Sequence, residues 1–355
     1  MIRTIHPVGQ GAFYSEEFTK KATNQVLFTT VYDCGSYNGS KRNNAIKEIK
    51  ERNEVDLLFI SHFHEDHING VEDLLEKNPT AIIVIPGVSH CRFIVDLISL
   101  YIRTGSIHSS SITFMMRCLP YLRQPGTSGS VFDIPASKSS YSKSGCVGKI
   151  YVIPPKSKHY TKFNICSLDW IYEVYYEIEN KKECELIKEL SEKIPILKDI
   201  LSSLDTFRGI EWYKQLLKEI SDLVRSNKIN IDDIKGAYVA VFKKNHNAYS
   251  MLVYSHGASE KYIDYSCLYT GDAEAGTVIN ALQYFLPSYI QVPHHGSNHN
   301  HDKRLYRNDR IAFMSVGETN RYRHPGLKTL LCIYDTCKEI HVVTENRKYS
   351  NSINL

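Results

Sequence analysis

The stretch SHFHEDHING, residues 61 to 70, sets His62, His64, Asp66 and His67 within six consecutive positions, between an apolar run and a helix-like one. Imidazoles and carboxylates are costly to bury unless something satisfies them, and one divalent cation satisfies several at once. In an extended turn His62 and His64 point the same way, whereas Asp66 and His67 belong to a first helical turn and point elsewhere. One pair can hold one cation and the other pair a second. Two cations about 3.5–4 Å apart suit hydrolysis of phosphodiesters and similar bonds, because they share one hydroxide nucleophile and stabilise both attacking and leaving oxygens. Imidazole and carboxylate without thiolate suit zinc or manganese.

A bridged pair of cations needs ligands from elsewhere, and the sequence offers them at the ends of predicted strands. LYTGDAEAG carries Asp272, whose carboxylate could bridge. VPHHGSNHN carries His294, His295 and Ser297, and SVGETNRYRHPG carries Arg321, Arg323 and His324. VYDCGS ends an early strand with Asp33, placed to accept from a histidine or to orient the nucleophilic water. His90, His108, His159, His256, His299, His301 and His341 lack a partner motif and read as surface or packing residues.

These groups need a scaffold, and its pattern is α/β. Strands are expected in RTIHPVGQGAFYSEEF and QVLFTTVYDCGS, a helix over 44–53, a doubly buried strand in VDLLFIS, a helix in INGVEDLLEKN and another buried strand in TAIIVIPG. From about Ser89 to Asn164 the pattern dissolves into Ser, Pro, Gly and Lys and reads as an active-site rim or substrate loop. DWIYEVYYEI reads as a strand. NKKECELIKELSEKIPILKDILSSL, divided at Pro195, and EWYKQLLKEISDLVRSN read as amphipathic helices. Strand signals then return in GAYVAVFKK, YSMLVYSHG, SCLYTGD, YIQVPHH, RIAFMSVGE and EIHVVTEN. The expectation is one domain over 1–355 with an insertion at about 90–235, basic and loop-rich at 101–163 and helical at about 180–230.

The chain has 355 residues, is 42% hydrophobic and carries a net charge of +4. No apolar run approaches the length of a membrane helix and no secretory leader is evident, so a cytoplasmic protein without a membrane partner is expected. Nine cysteines, scattered without a Cys-x-x-Cys pair, read as reduced thiols. Between Tyr101 and Phe163 nine lysines and arginines, Lys156 and Lys158 among them, face one acid, Asp133, with tyrosines interleaved. Such an excess is the footprint of a surface that meets phosphates and stacks on bases, or else only a solvated loop.

VGQG at 8–11, DCGS at 33–36, HFHEDHING at 62–70, NAYSMLV at 247–253, TGDAEAG at 270–276, VPHHGS at 292–297 and SVGETNRYRHPG at 315–326 resemble the ordered motifs of the metallo-β-lactamase superfamily. More narrowly they resemble the metallo-β-lactamase domain of ComEC-type DNA-uptake proteins and their stand-alone relatives, over roughly residues 1–90 and 235–350. The resemblance implies an αββα sandwich with a dinuclear site at one edge, two divalent ions, and hydrolysis of phosphodiesters in DNA or RNA. It implies His62 and His64 on metal 1, Asp66 and His67 on metal 2, and Asp272 as the bridge. Where many superfamily members carry a further histidine, this chain shows Asn247 and Ser250 with His246 beside them, so His246 is a candidate ligand for metal 1. His295 is taken as the last ligand of metal 2, with His294 and His324 stabilising charge on the phosphate or leaving oxygen.

The function expected is thus a metal-dependent phosphodiesterase, a nuclease, with Asp66, His294, His324 and Asp33 in catalytic roles. Ser297, Arg321, Arg323, Lys156 and Lys158 are expected to hold substrate. Two other readings stand beside it: hydrolysis of a small ester, lactone or cyclic nucleotide, and an inactive metal-binding subunit of a multi-protein assembly.

Overall fold

Alternation in the buried strands decides which layers can form. The computed structural model of the chain describes residues 1–52, 54–76, 78–123, 130–135, 148–155, 161–166, 168–177, 207–228, 230, 232 and 249–352. In β4 (Leu57–Phe59), Leu57 and Phe59 face a second sheet while Leu58 and the following Ile60 face helices. With both faces covered, the run carries no polar position, as its composition requires.

One sheet has seven strands in the order β15 (Tyr349–Ser352), β1 (Ile2–Ile5), β2 (Phe13–Thr19), β3 (Val26–Cys34), β4, β5 (Ile82–Pro86) and β7 (Ile150–Ile153). The other has eight, in the order β14 (Glu339–Val343), β13 (Ile311–Ser315), β12 (Tyr289–Gln291), β11 (Cys267–Tyr269), β10 (Leu252–Gly257), β9 (Trp170–Tyr175), β8 (Thr161–Cys166) and β6 (Val131–Pro135). β3 to β4 to β5 is parallel in the first sheet, and β11 to β14 in the second.

Outside the first sheet pack α1 (Gly39–Arg52), α3 (Val71–Leu75), α4 (His90–Thr104), α5 (Ser110–Leu122) and α6 (Ile210–Arg225). Outside the second pack α7 (Ala275–Ala281) and α8 (Leu327–Thr336). The short α2 (Glu65–Ile68) follows the histidine turn. Helix, sheet, sheet, helix is the expected αββα sandwich, of the metallo-β-lactamase type.

Between the sheets Tyr32 and Tyr269 stack with centroids 5.0 Å apart, and the Tyr32 hydroxyl donates to the Met251 carbonyl (2.9 Å). A buried carboxylate, Glu16 of β2, crosses the same interface. It accepts from Arg3 (2.8 Å), Tyr172 (2.8 Å), Ser255 (2.6 Å) and Tyr269 (3.0 Å), the last three belonging to the opposite sheet. A charge this deep is tolerable because every contact on it is a donor.

The loop-rich reading of Ser89–Asn164 needs correction. Its first part forms α4 and α5, each capped by a serine: Ser89 accepts from the Arg92 amide and Ser109 from the Ile112 amide. Gly105 ends α4 in the left-handed conformation at φ +65°. Farther on, β7 extends the first sheet while β6 and β8 extend the second. The expected helix around Pro195 and the expected strand GAYVAVFKK lie outside the described residues.

Candidate metal centre

The carboxyl ends of parallel strands from both sheets meet at one edge, the usual place for a site in open α/β sheets. β3 delivers Asp33 and β4 leads into Ser61 and the histidine turn. β11 leads to Asp272, β12 to His294 and His295, and β13 to the loop bearing His324.

Three backbone devices aim these side chains. Gly35 passes so close to the Asp66–His67 peptide that a Cβ there would stand 2.4 Å from the His67 nitrogen. Gly271, at φ +54°, presses on Ser61, whose Cβ would be 2.7 Å from a Cβ placed on the glycine. His294 and His295 both adopt left-handed conformations (φ 49° and 52°), followed by Gly296 at 78°. Two non-glycine residues in that region cost energy, and such strain is typical of functional turns.

Ligand atoms of His62, His64 and Asp272 lie within 4.8 Å of one another, and so do those of Asp66, His67 and His295. Asp272 faces both groups. Its Oδ2 is 3.9 Å from His62 Nε2, and its Oδ1 is 3.3 Å from His67 Nε2 and 3.8 Å from His295 Nε2. Asp66 Oδ2 is 3.6 Å from His295 Nε2.

The opposite ring nitrogens are held from behind. His295 Nδ1 donates to the Ser315 carbonyl (2.9 Å) and His67 Nδ1 to Asp33 Oδ2 (2.8 Å). The Ser61 hydroxyl gives its one proton to Asp33 Oδ2 (2.7 Å), so toward His62 Nδ1 (2.9 Å) it is an acceptor. All three rings therefore present an unprotonated Nε2 to the centre when neutral. Ser250 braces the same corner, 3.3 Å from His62 Nδ1 and accepting from the Asp272 amide (3.0 Å).

That arrangement leaves the Nε2 atoms of His62, His67 and His295 and Oδ1 of Asp272 buried without a hydrogen-bond partner. Four orphaned acceptors turned toward one another are hard to reconcile with a purely structural cluster. They fit a cation, since each is a ligand atom for zinc or manganese.

Charge follows the geometry. Burial alone would raise Asp272, but His294, His67 and His295 hold it well below the usual carboxylate range. Burial opposes charge on His67 too, yet Asp272 and Asp33 raise it above the ordinary histidine value. Burial, then His67, push His62 down. His324 is brought to about 4 by burial and by His294 and His295.

The remaining predicted residues distribute unevenly. Asp33, entertained either as an acceptor for a histidine or as an orienter of water, takes the first position, fully buried behind His67. His294 approaches the centre from the rim, its Nε2 3.7 Å from Asp272 Oδ2, and its ring lies 5.3 Å from that of His324. Arg321 and Arg323 are exposed on the same loop. Ser297, expected to hold substrate, is 3% exposed, and its hydroxyl accepts from the His299 amide in a turn instead. His246, Lys156 and Lys158 lie outside the described residues.

Within the basic stretch, Arg117 is paired with Glu72 (2.6 Å) and Lys162 with Glu173 (2.9 Å), so these two charges are answered within the chain. Sequence reasoning missed Ser61 as the hub between Asp33 and two histidines. Its position directly before the histidine turn was the only available signal.

The model of the metallo-beta-lactamase superfamily matches residues 26–90. The matched segment runs from the start of β3 to the first residue of α4 and contains Asp33, Ser61 and the whole histidine turn. A match of that kind suggests metal-dependent hydrolysis, in agreement with the two ligand groups. No curated protein matches the chain.

Proposed function

We propose that the chain hydrolyses phosphodiester bonds of DNA or RNA at a centre of two divalent cations, zinc or manganese. One observation carries the reading: three imidazole Nε2 atoms, buried and without a hydrogen-bond partner, all face the carboxylate of Asp272, whose Oδ1 is buried and unpartnered too. His62, His64 and Asp272 would hold one ion, and Asp66, His67 and His295 the other, with Asp272 offering one oxygen to each. When bound, the ions would supply a nucleophile from water at neutral pH and offset the charge of the phosphate.

The chain's own groups do the rest. His294 and His324, on the open side of Asp272, are positioned to donate to phosphate or leaving oxygen. Exposed Arg321 and Arg323 precede His324 on the same loop and suit a polyanion. The order of the TGD, PHHGS and NRYRHP motifs, which resembles the ComEC-type branch, supports nucleic acid over other substrates.

The test incubates purified chain with single- and double-stranded DNA, RNA, cyclic nucleotides and bis(p-nitrophenyl) phosphate, adding zinc, manganese or magnesium separately. Cleavage of nucleic acid, abolished in His64→Ala and Asp66→Ala, is expected. Affinity for the polymer should fall steeply with salt. Salt-indifferent turnover of cyclic nucleotides or esters alone would transfer the assignment to a small substrate, and wild-type rates in both variants would overturn it.

A further inference from the structure

Beside the metal centre lies an open cavity of about 690 Å³, of whose lining only Arg321 has so far been given a role. That volume is in the range of small-molecule sites. One wall comes from the first sheet's side: Gln10, Tyr37, and Asn38 and Gly39 at the start of α1. The other comes from the loop after β13, with Arg321 and Tyr322. Tyr37 is 39% and Tyr322 41% exposed, so both rings are accessible from the cavity.

Both walls run directly into the centre. Tyr37 follows two residues after Gly35, the glycine pressed on the Asp66–His67 peptide. Tyr322 lies nearly parallel to His324 (14°, centroids 6.0 Å apart), and His324 neighbours His294, which faces Asp272. A strand whose phosphate lay over Asp272 would therefore have an adjacent nucleotide at this cavity.

The lining has the chemistry for one. Tyr37 and Tyr322 offer aromatic faces, and the Arg321 guanidinium sits 5.1 Å from the Tyr322 ring centre. Arg103 donates to the Tyr37 hydroxyl, adding a second cation at the rim. The first turn of α1, capped by Asn38 Oδ1 on the Lys41 amide (3.2 Å), lines the cavity without an acidic residue, so its dipole favours phosphate there. Gln10, 8% exposed, carries an Oε1 that is buried and has no hydrogen-bond partner. An amide so placed can read the edge of a base. The acid of the lining, Glu345, already accepts from the Glu318 amide (3.0 Å).

We propose that this cavity is a base-binding subsite, in which a nucleobase adjoining the scissile bond packs against Tyr37 and Tyr322 while Gln10 contacts its edge. The inference rests on the phosphodiesterase reading and narrows its substrate to nucleotides.

The experiment measures binding of AMP, CMP and ribose 5-phosphate to the full, metal-loaded chain by calorimetry. Ribose 5-phosphate carries the phosphate without the base, so any contact between phosphate and metal cancels in the comparison. Stacking should make the nucleotides bind roughly ten-fold tighter than ribose 5-phosphate. Tyr37→Ala and Tyr322→Ala should each narrow that preference several-fold, whereas Tyr322→Phe should keep it. Both tyrosines are surface residues, and circular dichroism checks that the variants fold. Equal affinities for nucleotide and ribose 5-phosphate, or an undiminished preference in both alanine variants, would overturn the proposal. Turnover of bis(p-nitrophenyl) phosphate is followed separately. Turnover without base preference rejects the subsite and spares the phosphodiesterase reading, while base preference without turnover upholds the subsite and rejects that reading.

Discussion

Asp33 Oδ2 and His67 Nδ1 are 2.8 Å apart in a fully buried pair, and the same carboxylate accepts from both the backbone amide (2.7 Å) and the hydroxyl (2.7 Å) of Ser61. Three donors converge on one acid, so the acid fixes the tautomer of His67 and the rotor of Ser61 together. Replacing Asp33 with asparagine would set an NH₂ group against donors and move the His67 proton toward Nε2, where it blocks coordination. Asp33→Asn is therefore expected to weaken zinc or manganese binding by about 10- to 100-fold. Competition against a chromophoric chelator measures it, and unchanged affinity would remove Asp33 from its positioning role.

Metal should stabilise the folded chain, because four buried polar atoms gain partners only when it binds. Linkage gives about 2.7 kcal/mol at a free ion concentration one hundred times the dissociation constant. Melting curves with chelator and with added zinc or manganese should separate accordingly, and His67→Ala, which removes a ligand of one of the two groups, should narrow the separation.

Gly271→Ala should damage the centre without touching a ligand. The residue sits at φ +54°, and a Cβ would be 2.7 Å from Ser61 Cβ and 3.2 Å from Ser250 Oγ. Backbone strain of about 1–3 kcal/mol is expected in urea unfolding, with weaker metal binding because Asp272 follows directly. A variant equal to wild type in both would show that the β11 turn tolerates side chains.

Glu16→Ala removes the acceptor shared by Arg3, Tyr172, Ser255 and Tyr269 and leaves the Arg3 charge buried. Breaking a buried pair in this way costs about 3–5 kcal/mol. Chemical denaturation reads it, and a loss below about 1 kcal/mol would mean that water replaces the carboxylate.

Glu173 supplies a pH dependence away from the centre. Burial would raise its carboxyl, but His256 (3.1 Å) and Lys162 (2.9 Å) lower it below the ordinary glutamate value. A depressed folded-state value stabilises the fold above the unfolded pKa, and the contribution is lost as pH falls through the folded one. Glu173→Gln should therefore be less stable than wild type at pH 7, with the difference shrinking below about pH 4.3. A difference independent of pH would remove the carboxylate's charge from the account.

How much of this was legible in the sequence depends on the range over which each signal acts. The histidine turn declared itself because ligand spacing is local, and the buried strands did because alternation is local too. α4 was hidden by the serines around it, although Phe93, Ile94, Leu97, Ile98 and Tyr101 already formed a buried helical stripe between a serine cap and Gly105. β15, which pairs with β1 from the far end of the described chain, gave no local sign at all. The bracing by Ser61 and Ser250 is likewise tertiary, since a serine beside a histidine is unremarkable until Asp33 and Asp272 arrive from other strands.

The convergence of strand ends from two sheets also sets a sequence of events during synthesis. Residues 62–67 leave the ribosome some two hundred residues before Asp272 and His295, so a nascent chain holds only fragments of each ion cradle. On the two-ion reading, high-affinity capture would have to wait until the second sheet docks on the first, which would make metal uptake a late reporter of completed folding.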